Sequence, residues 1–177
     1  MRFIYLLLLS SFLFLHQSCI KDNINIPEEK IDINDLLPFF KVDMSDGSII
    51  TSEYFKNKVG VLFFFHTDCN DCKRTLPHIQ RTFELYGNND NLIFVGISRE
   101  ESDQEISKYW ADNNYTIPYS AQEDRKVYEL FAKQGIPRIY IIDQDCYVRF
   151  SFDDNDILDS NTLSDKIDYL LRNSEGT

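Results

Sequence analysis

The chain has 177 residues, enough for one domain with a real core, and its 43% apolar and 14% aromatic content excludes a disordered chain. With 18 Lys+Arg against 29 Asp+Glu, the net charge of −11 offers no footprint for nucleic acid and no loose attraction to anionic lipid. Its 4 cysteines are too few for a disulfide-framework mini-protein, so their spacing must decide their use.

Met1-Arg2 is a short positive start, followed by an almost wholly apolar stretch over residues 3–15. That stretch is too short to span a bilayer comfortably and predicts a signal peptide over residues 1–18. Ser18-Cys19 closes it and resembles a bacterial lipobox, although His16 stands where the usual Leu would be. The resemblance implies that Cys19 is lipidated and becomes the new N-terminus, an attachment that acyl chains make stable. Residues 19–36 are polar and acidic without apolar periodicity, and read as a tether to a domain over residues 37–173.

The domain alternates strand and helix patterns. Asp46-Gly47 predicts a turn between short strands at 39–42 and 49–50. Residues 59–65 form an unbroken apolar run, the mark of a fully buried strand. A helix is predicted over 73–86, with Leu76, Ile79, Phe83 and Tyr86 as its stripe and Gly87 at its end. A second buried strand follows at 91–97, then a helix at 104–114 with Ile106, Tyr109 and Trp110 on one side. Residues 124–133 are predicted helical with Val127, Leu130 and Phe131 inward. Strands at 136–142 and 147–152 and an amphipathic helix at 163–171 complete an α/β domain, a mixed central sheet with helices on both faces. The acidic charge gathers at 22–35, 100–105 and 153–159 and reads as surface remote from Lys73 and Arg74.

The chemistry falls at the end of the first buried strand, in Cys69-Asn70-Asp71-Cys72. Two intervening residues let the sulfurs approach disulfide distance within one helical turn. Cys69 would lie at a helix N-terminus, where free amides and the dipole favour thiolate, which makes it the nucleophile. Cys72, one turn in, is the resolving thiol. A zinc site would need four ligands, and His16, His66, His78 and Cys146 form no second pair. An inert structural bridge would usually close a longer loop. Neither a metal nor another cofactor is expected. Further on, Gly135-Ile136-Pro137 opens a strand, where Pro is either a plain turn residue or the second half of a cis bond.

Together, residues 61–65, Cys69 to Cys72, Pro77, Gly135-Ile136-Pro137 and 139–143 resemble the thioredoxin fold. More narrowly, residues 38–172 are similar to the TlpA/ResA-like thiol–disulfide oxidoreductases of bacterial envelopes. The Asp46-Gly47 turn and the stretch 115–133 also match that group. The resemblance implies that Pro137 is cis and lies against the C-x-x-C, that the Ile136 backbone binds the substrate chain, and that Pro77 kinks the active-site helix. It implies protein disulfide or dithiol substrates, an upstream electron donor, and a lipid-anchored place in the cell envelope, facing the periplasm or on the surface.

Three departures matter. Asp68 replaces the usual Trp before the first Cys, Thr75 replaces the Glu common in the subgroup, and Phe63 stands where thioredoxins proper keep a buried Asp. No side chain therefore plainly supplies a base for the second thiol; water, Asp71 and His66 are the candidates, and His66 by itself reads as a solvated loop residue. Asp68 and Asp71 disfavour a thiolate at Cys69 against Lys73, Arg74 and the dipole, which predicts a reductant rather than a strong oxidant. Cys146 reads as a small, partly buried strand residue, or as a third redox thiol. Two other functions compete: a peroxiredoxin-like thiol peroxidase, and a non-catalytic binding lipoprotein on the same scaffold.

Overall fold

Seven consecutive buried residues, Val-Gly-Val-Leu-Phe-Phe-Phe, can satisfy their backbone only between two other strands. The computed structural model places them there; it describes residues 30–87, 89–156 and 158–173. A hairpin comes first, β1 (Lys41–Asp43) antiparallel to β2 (Ile49–Thr51), turning at Gly47 with φ +84°. The rest of the chain runs β3 (Val59–Phe65), α1 (Asn70–Tyr86), β4 (Leu92–Ser98), α2 (Asp103–Asn113), β5 (Tyr119–Ser120), β6 (Arg138–Ile142), β7 (Val148–Phe152) and α3 (Ser160–Asn173). The five-stranded sheet has the order β5-β4-β3-β6-β7. β3, β4 and β5 are parallel, while β6 and β7 run antiparallel to their neighbours, so the sheet is mixed as predicted.

Side-chain alternation along β3 sorts the core. Phe65 packs on Trp110 of α2 with ring centroids 4.9 Å apart, and Phe63 lies beside Phe65. On the other side, Phe64 meets Phe131 at 4.9 Å and Tyr128 at 5.5 Å, and Phe131 in turn meets Phe40. The helix predicted over 124–133 is here a single 3-10 turn, Tyr128–Leu130. Tyr128 and Phe131 explain it: three positions apart, they eclipse in a 3-10 turn and both reach the sheet. Leu130, expected inward, is 39% exposed.

The predicted export signal, Cys19 and residues 19–29 lie outside the described residues. The last part of the predicted tether does not behave as one. The Lys30 and Ile31 amides donate to the Phe131 carbonyl, Asn34 and Asp35 exchange backbone hydrogen bonds with Val148, and the Leu37 amide donates to the Cys146 carbonyl. The folded unit thus includes residues 30–36, because these otherwise open amides extend pairing along the start of β7. Among the described residues no helix is long and apolar enough to cross a membrane.

Candidate active site

β3 delivers the chain into the loop His66-Thr67-Asp68 and then into α1, whose N-cap is Cys69. The helix starts at Asn70, three residues earlier than its apolar stripe predicted, because capping by sulfur needs no apolar residue. The Cys69 Sγ accepts the Cys72 amide N–H at 3.3 Å, one of the donors that every helix leaves open at its start. The same thiol donates to the Ile136 carbonyl oxygen at 3.4 Å. The Ile136–Pro137 peptide is cis, and β6 begins only at Arg138, two residues after the predicted start. Cys69, Cys72, Ile136 and Pro137 therefore form one cluster built from a helix N-terminus and a strand entrance.

The two thiols differ sharply. Cys69 is partly exposed; Cys72 is wholly buried, and both are free. Burial, reinforced by the hydrogen bond with Cys69, pushes the Cys72 thiol far above the ordinary thiol range, with the His66 main-chain amide and the Arg99 charge opposing. The carboxylates expected to act on Cys69 are both engaged: Asp71 is ion-paired with Arg74, and Asp68 lies 3.7 Å from Lys73.

Three features were not foreseen. Glu101, assigned with its neighbours to a solvated acidic stretch, is 3% exposed. Its carboxylate accepts the Thr67 amide N–H at 3.0 Å and the Thr67 hydroxyl, and lies 3.8 Å from His66 Nδ1. His66 is correspondingly built in, its Nδ1 accepting the Asp68 amide at 3.1 Å. Arg138 is fully buried behind Pro137, donating to the Gln134 carbonyl at 2.9 Å and lying 3.6 Å from Asp153. A charged residue inside the apolar run 136–142 was the only sequence signal for it. Finally, Asp154 and Asp156 line a cavity of about 260 Å³ together with Arg74, Thr75 and Pro137, so the third acidic stretch faces the site rather than standing away from it. Cys146 is a turn residue at φ +66°, not a strand residue. Among the described residues no group of three His, Cys, Asp or Glu side chains could hold a metal ion.

The comparisons with known proteins agree with this architecture. The chain is 22% identical to the thiol-disulfide oxidoreductase YkuV of Bacillus subtilis over 102 residues, 56% of this chain and 69% of that protein. It is 26% identical to a putative peroxiredoxin, bcp, of Helicobacter pylori over 113 residues, 63% of this chain and 73% of that one. A putative protein disulfide isomerase from Bacteroides thetaiotaomicron superposes with a TM-score of 0.76 at 20% identity, over 82% of this chain and 93% of that one. These likenesses establish the thioredoxin-like fold that the sequence resemblance implied. The AhpC/TSA family's sequence profile matches residues 33–151, starting inside the docked segment rather than at residue 37, and the chain belongs to that family.

Proposed function

We propose that the chain is a membrane-tethered thiol–disulfide oxidoreductase that reduces disulfides of envelope proteins through Cys69 and Cys72. The observation that carries this reading is the pairing of a partly exposed, helix-capping Cys69 with a buried Cys72 one turn along. Cys69, as thiolate, attacks a substrate disulfide; one substrate sulfur leaves as a thiolate and the other stays bonded to Cys69. Cys72 then attacks the Cys69 sulfur, the mixed disulfide breaks, and the Cys69–Cys72 bond forms as the second substrate thiolate departs. Two electrons have passed to the substrate, and an upstream dithiol donor restores the pair. The Ile136 carbonyl, beside the nucleophile, is placed to meet a substrate amide. The tether rests on the apolar stretch 3–15 and on Ser18-Cys19.

A thiol peroxidase is the second reading, favoured by the AhpC/TSA profile and by the likeness to the Helicobacter pylori protein. Against it, residues 62–68 contain no Pro, and the Thr67 hydroxyl is committed to Glu101.

A Cys72→Ser variant expressed in cells should accumulate reductant-sensitive adducts to other proteins, absent from Cys69→Ser. The wild-type protein should reduce insulin disulfides, and Cys19→Ala should move the chain from membrane to soluble fraction. A Cys72→Ser strain without adducts, together with wild-type protein inert toward insulin, would refute the redox reading. Unchanged membrane association of Cys19→Ala would refute the anchor.

A further inference from the structure

One face of α1 turns toward the loop between β7 and α3. Asp71, Arg74, Thr75 and His78 recur at helical spacing and line one side of the cavity of about 260 Å³. Asp154 and Asp156 line the other side, and Pro137 bounds it one residue from the Ile136 carbonyl that holds the Cys69 thiol. Small-molecule sites run to roughly 300–1,000 Å³, so this space suits one side chain of a bound chain rather than a cofactor.

The lining carries excess negative charge. Arg74 is its only permanent cation and is already ion-paired with Asp71. Asp154 and Asp156 are exposed, and among the described residues no Lys, Arg or His lies within ion-pair distance of either. The buried Arg138 behind the cis-proline is within that distance of Asp153 instead. The lining also holds an idle hydroxyl. Thr75 is 8% exposed, and among the described residues nothing hydrogen-bonds its Oγ1. A nearly buried hydroxyl left without a partner is costly, and a donor entering the cavity would remove that cost. The groups left unmatched here can all accept hydrogen bonds, whereas an ammonium or guanidinium offers donors only.

We propose that the cavity is a subsite for a Lys or Arg side chain of the substrate, held by Asp154, Asp156 and Thr75, about two residues from the cysteine that Cys69 attacks. This rests on the dithiol-exchange reading above and names its substrate class: disulfides flanked by a basic residue. In an extended chain, residues two positions apart point to the same side and lie about 7 Å from one another. A substrate chain that meets the Ile136 carbonyl with its sulfur on Cys69 therefore turns its second neighbour toward Pro137 and the cavity beyond.

The test uses the full chain carrying Cys19→Ser and Cys146→Ser, so that only Cys69 and Cys72 react. The substrates are peptides with a single Cys held as a mixed disulfide to a coloured aromatic thiol, with Lys, Gln or Glu at the second position on each side. The Cys69 thiolate attacks the peptide sulfur, the mixed disulfide breaks, and the aromatic thiolate leaves with the bonding pair. Each rate is divided by the rate with dithiothreitol, which cancels the peptide's own reactivity. The Lys peptide should outpace the Glu peptide about tenfold or more, the size expected of two partly screened charge pairs. That ratio should shrink between about 10 mM and about 1 M salt, as the screening length drops from about 30 Å to about 3 Å.

Asp154→Asn with Asp156→Asn should bring the ratio below about twofold and leave the Gln peptide within about twofold of its former rate. The Asn side chain at 156 keeps an oxygen for the Asp153 amide, so the loop is preserved. Thr75→Val should lower the Lys rate about threefold or more. Glu53→Gln with Asp145→Asn removes as much charge at the opposite end of the sheet and should leave the ratio within about twofold of its starting value. A wild-type ratio below about twofold, a preference for Glu, a ratio that neither cavity variant changes, or an equal fall in the remote pair would overturn the proposal. Release of no aromatic thiolate from any of the three peptides would instead overturn dithiol exchange itself.

Discussion

The Phe63 ring lies so closely over Gly96, its register partner on β4, that a Cβ added at Gly96 would sit 2.5 Å from the ring's Cζ. This contact explains why the sheet beneath the active-site helix holds no carboxylate: a ring and the bare backbone of a glycine occupy the space together. The carboxylate that does come near the loop before Cys69 enters from beyond the end of β4, where Glu101 holds Thr67.

Gly96→Ala should therefore destabilise the protein by about 1–3 kcal/mol, the usual cost of forcing extra volume into a packed core. The methyl group meets a ring wedged beside Phe65 and has no flexible side-chain end to push aside. In a Phe63→Leu background the same substitution should cost less, because the clashing ring atoms are gone, and the two changes should be non-additive as contacting pairs are. Urea unfolding of the four proteins of this cycle measures the coupling. Strict additivity would mean that Phe63 moves freely and does not define the space at Gly96.

Alkaline pH should separate the reduced and oxidised forms. Burial raises the folded Cys72 thiol above its ordinary value of 9.0. A group raised on folding stabilises the fold below its unfolded pKa and loses that contribution as pH climbs toward its folded pKa. Stability of the dithiol protein should thus begin to fall as pH passes about 9. The disulfide form has no Cys72 thiol to ionise. Its decline should wait for the tyrosines: Tyr86, Tyr115 and Tyr119 are each pushed up from 10.0 to about 12, mainly by burial, and Tyr86 and Tyr119 also by hydrogen bonds to Asp168 and Asp103. Denaturation midpoints of both forms, measured in a Cys146→Ser background so that the remaining raised thiol is removed, give the comparison. Parallel declines starting at the same pH would show that Cys72 ionisation is not coupled to folding.

The strands and the reactive pair were legible in the sequence because each has a local signature. An unbroken apolar run can hardly be anything but a buried element, and C-x-x-C after a strand carries its own geometry. What could not be read depends on contacts between distant segments. Glu101 follows another glutamate and resembles a solvated charge until Thr67 is brought onto it from 34 positions away. The 3-10 turn at Tyr128–Leu130 has an adequate helical pattern, and only the sheet's demand for Tyr128 and Phe131 overrides it. Residues 30–36 are polar enough to pass for a tether, since much of their attachment runs through backbone amides and carbonyls, which leave no trace in residue type, and the rest through scattered contacts of Lys30, Ile31 and Asn34.

Cys146 shows the same limit from the opposite side. Its thiol drew attention, yet its backbone is what the fold uses. The residue sits at φ +66°, a region that costs an L side chain about 1–2 kcal/mol and costs glycine nothing. Its amide donates to the Asp143 carbonyl at 3.0 Å and its own carbonyl accepts the Leu37 amide at 2.8 Å, and glycine would keep both bonds. Against the relief stands the greater freedom glycine gives the unfolded chain, worth about 0.4–1 kcal/mol. Cys146→Gly should therefore leave stability unchanged or raise it by up to about 1 kcal/mol, seen as a higher urea midpoint at constant slope, with insulin reduction unaffected. A loss of more than about 1 kcal/mol would show that the partly buried thiol contributes packing comparable to a core methylene, and a loss of reductase activity would mark it as a third redox thiol.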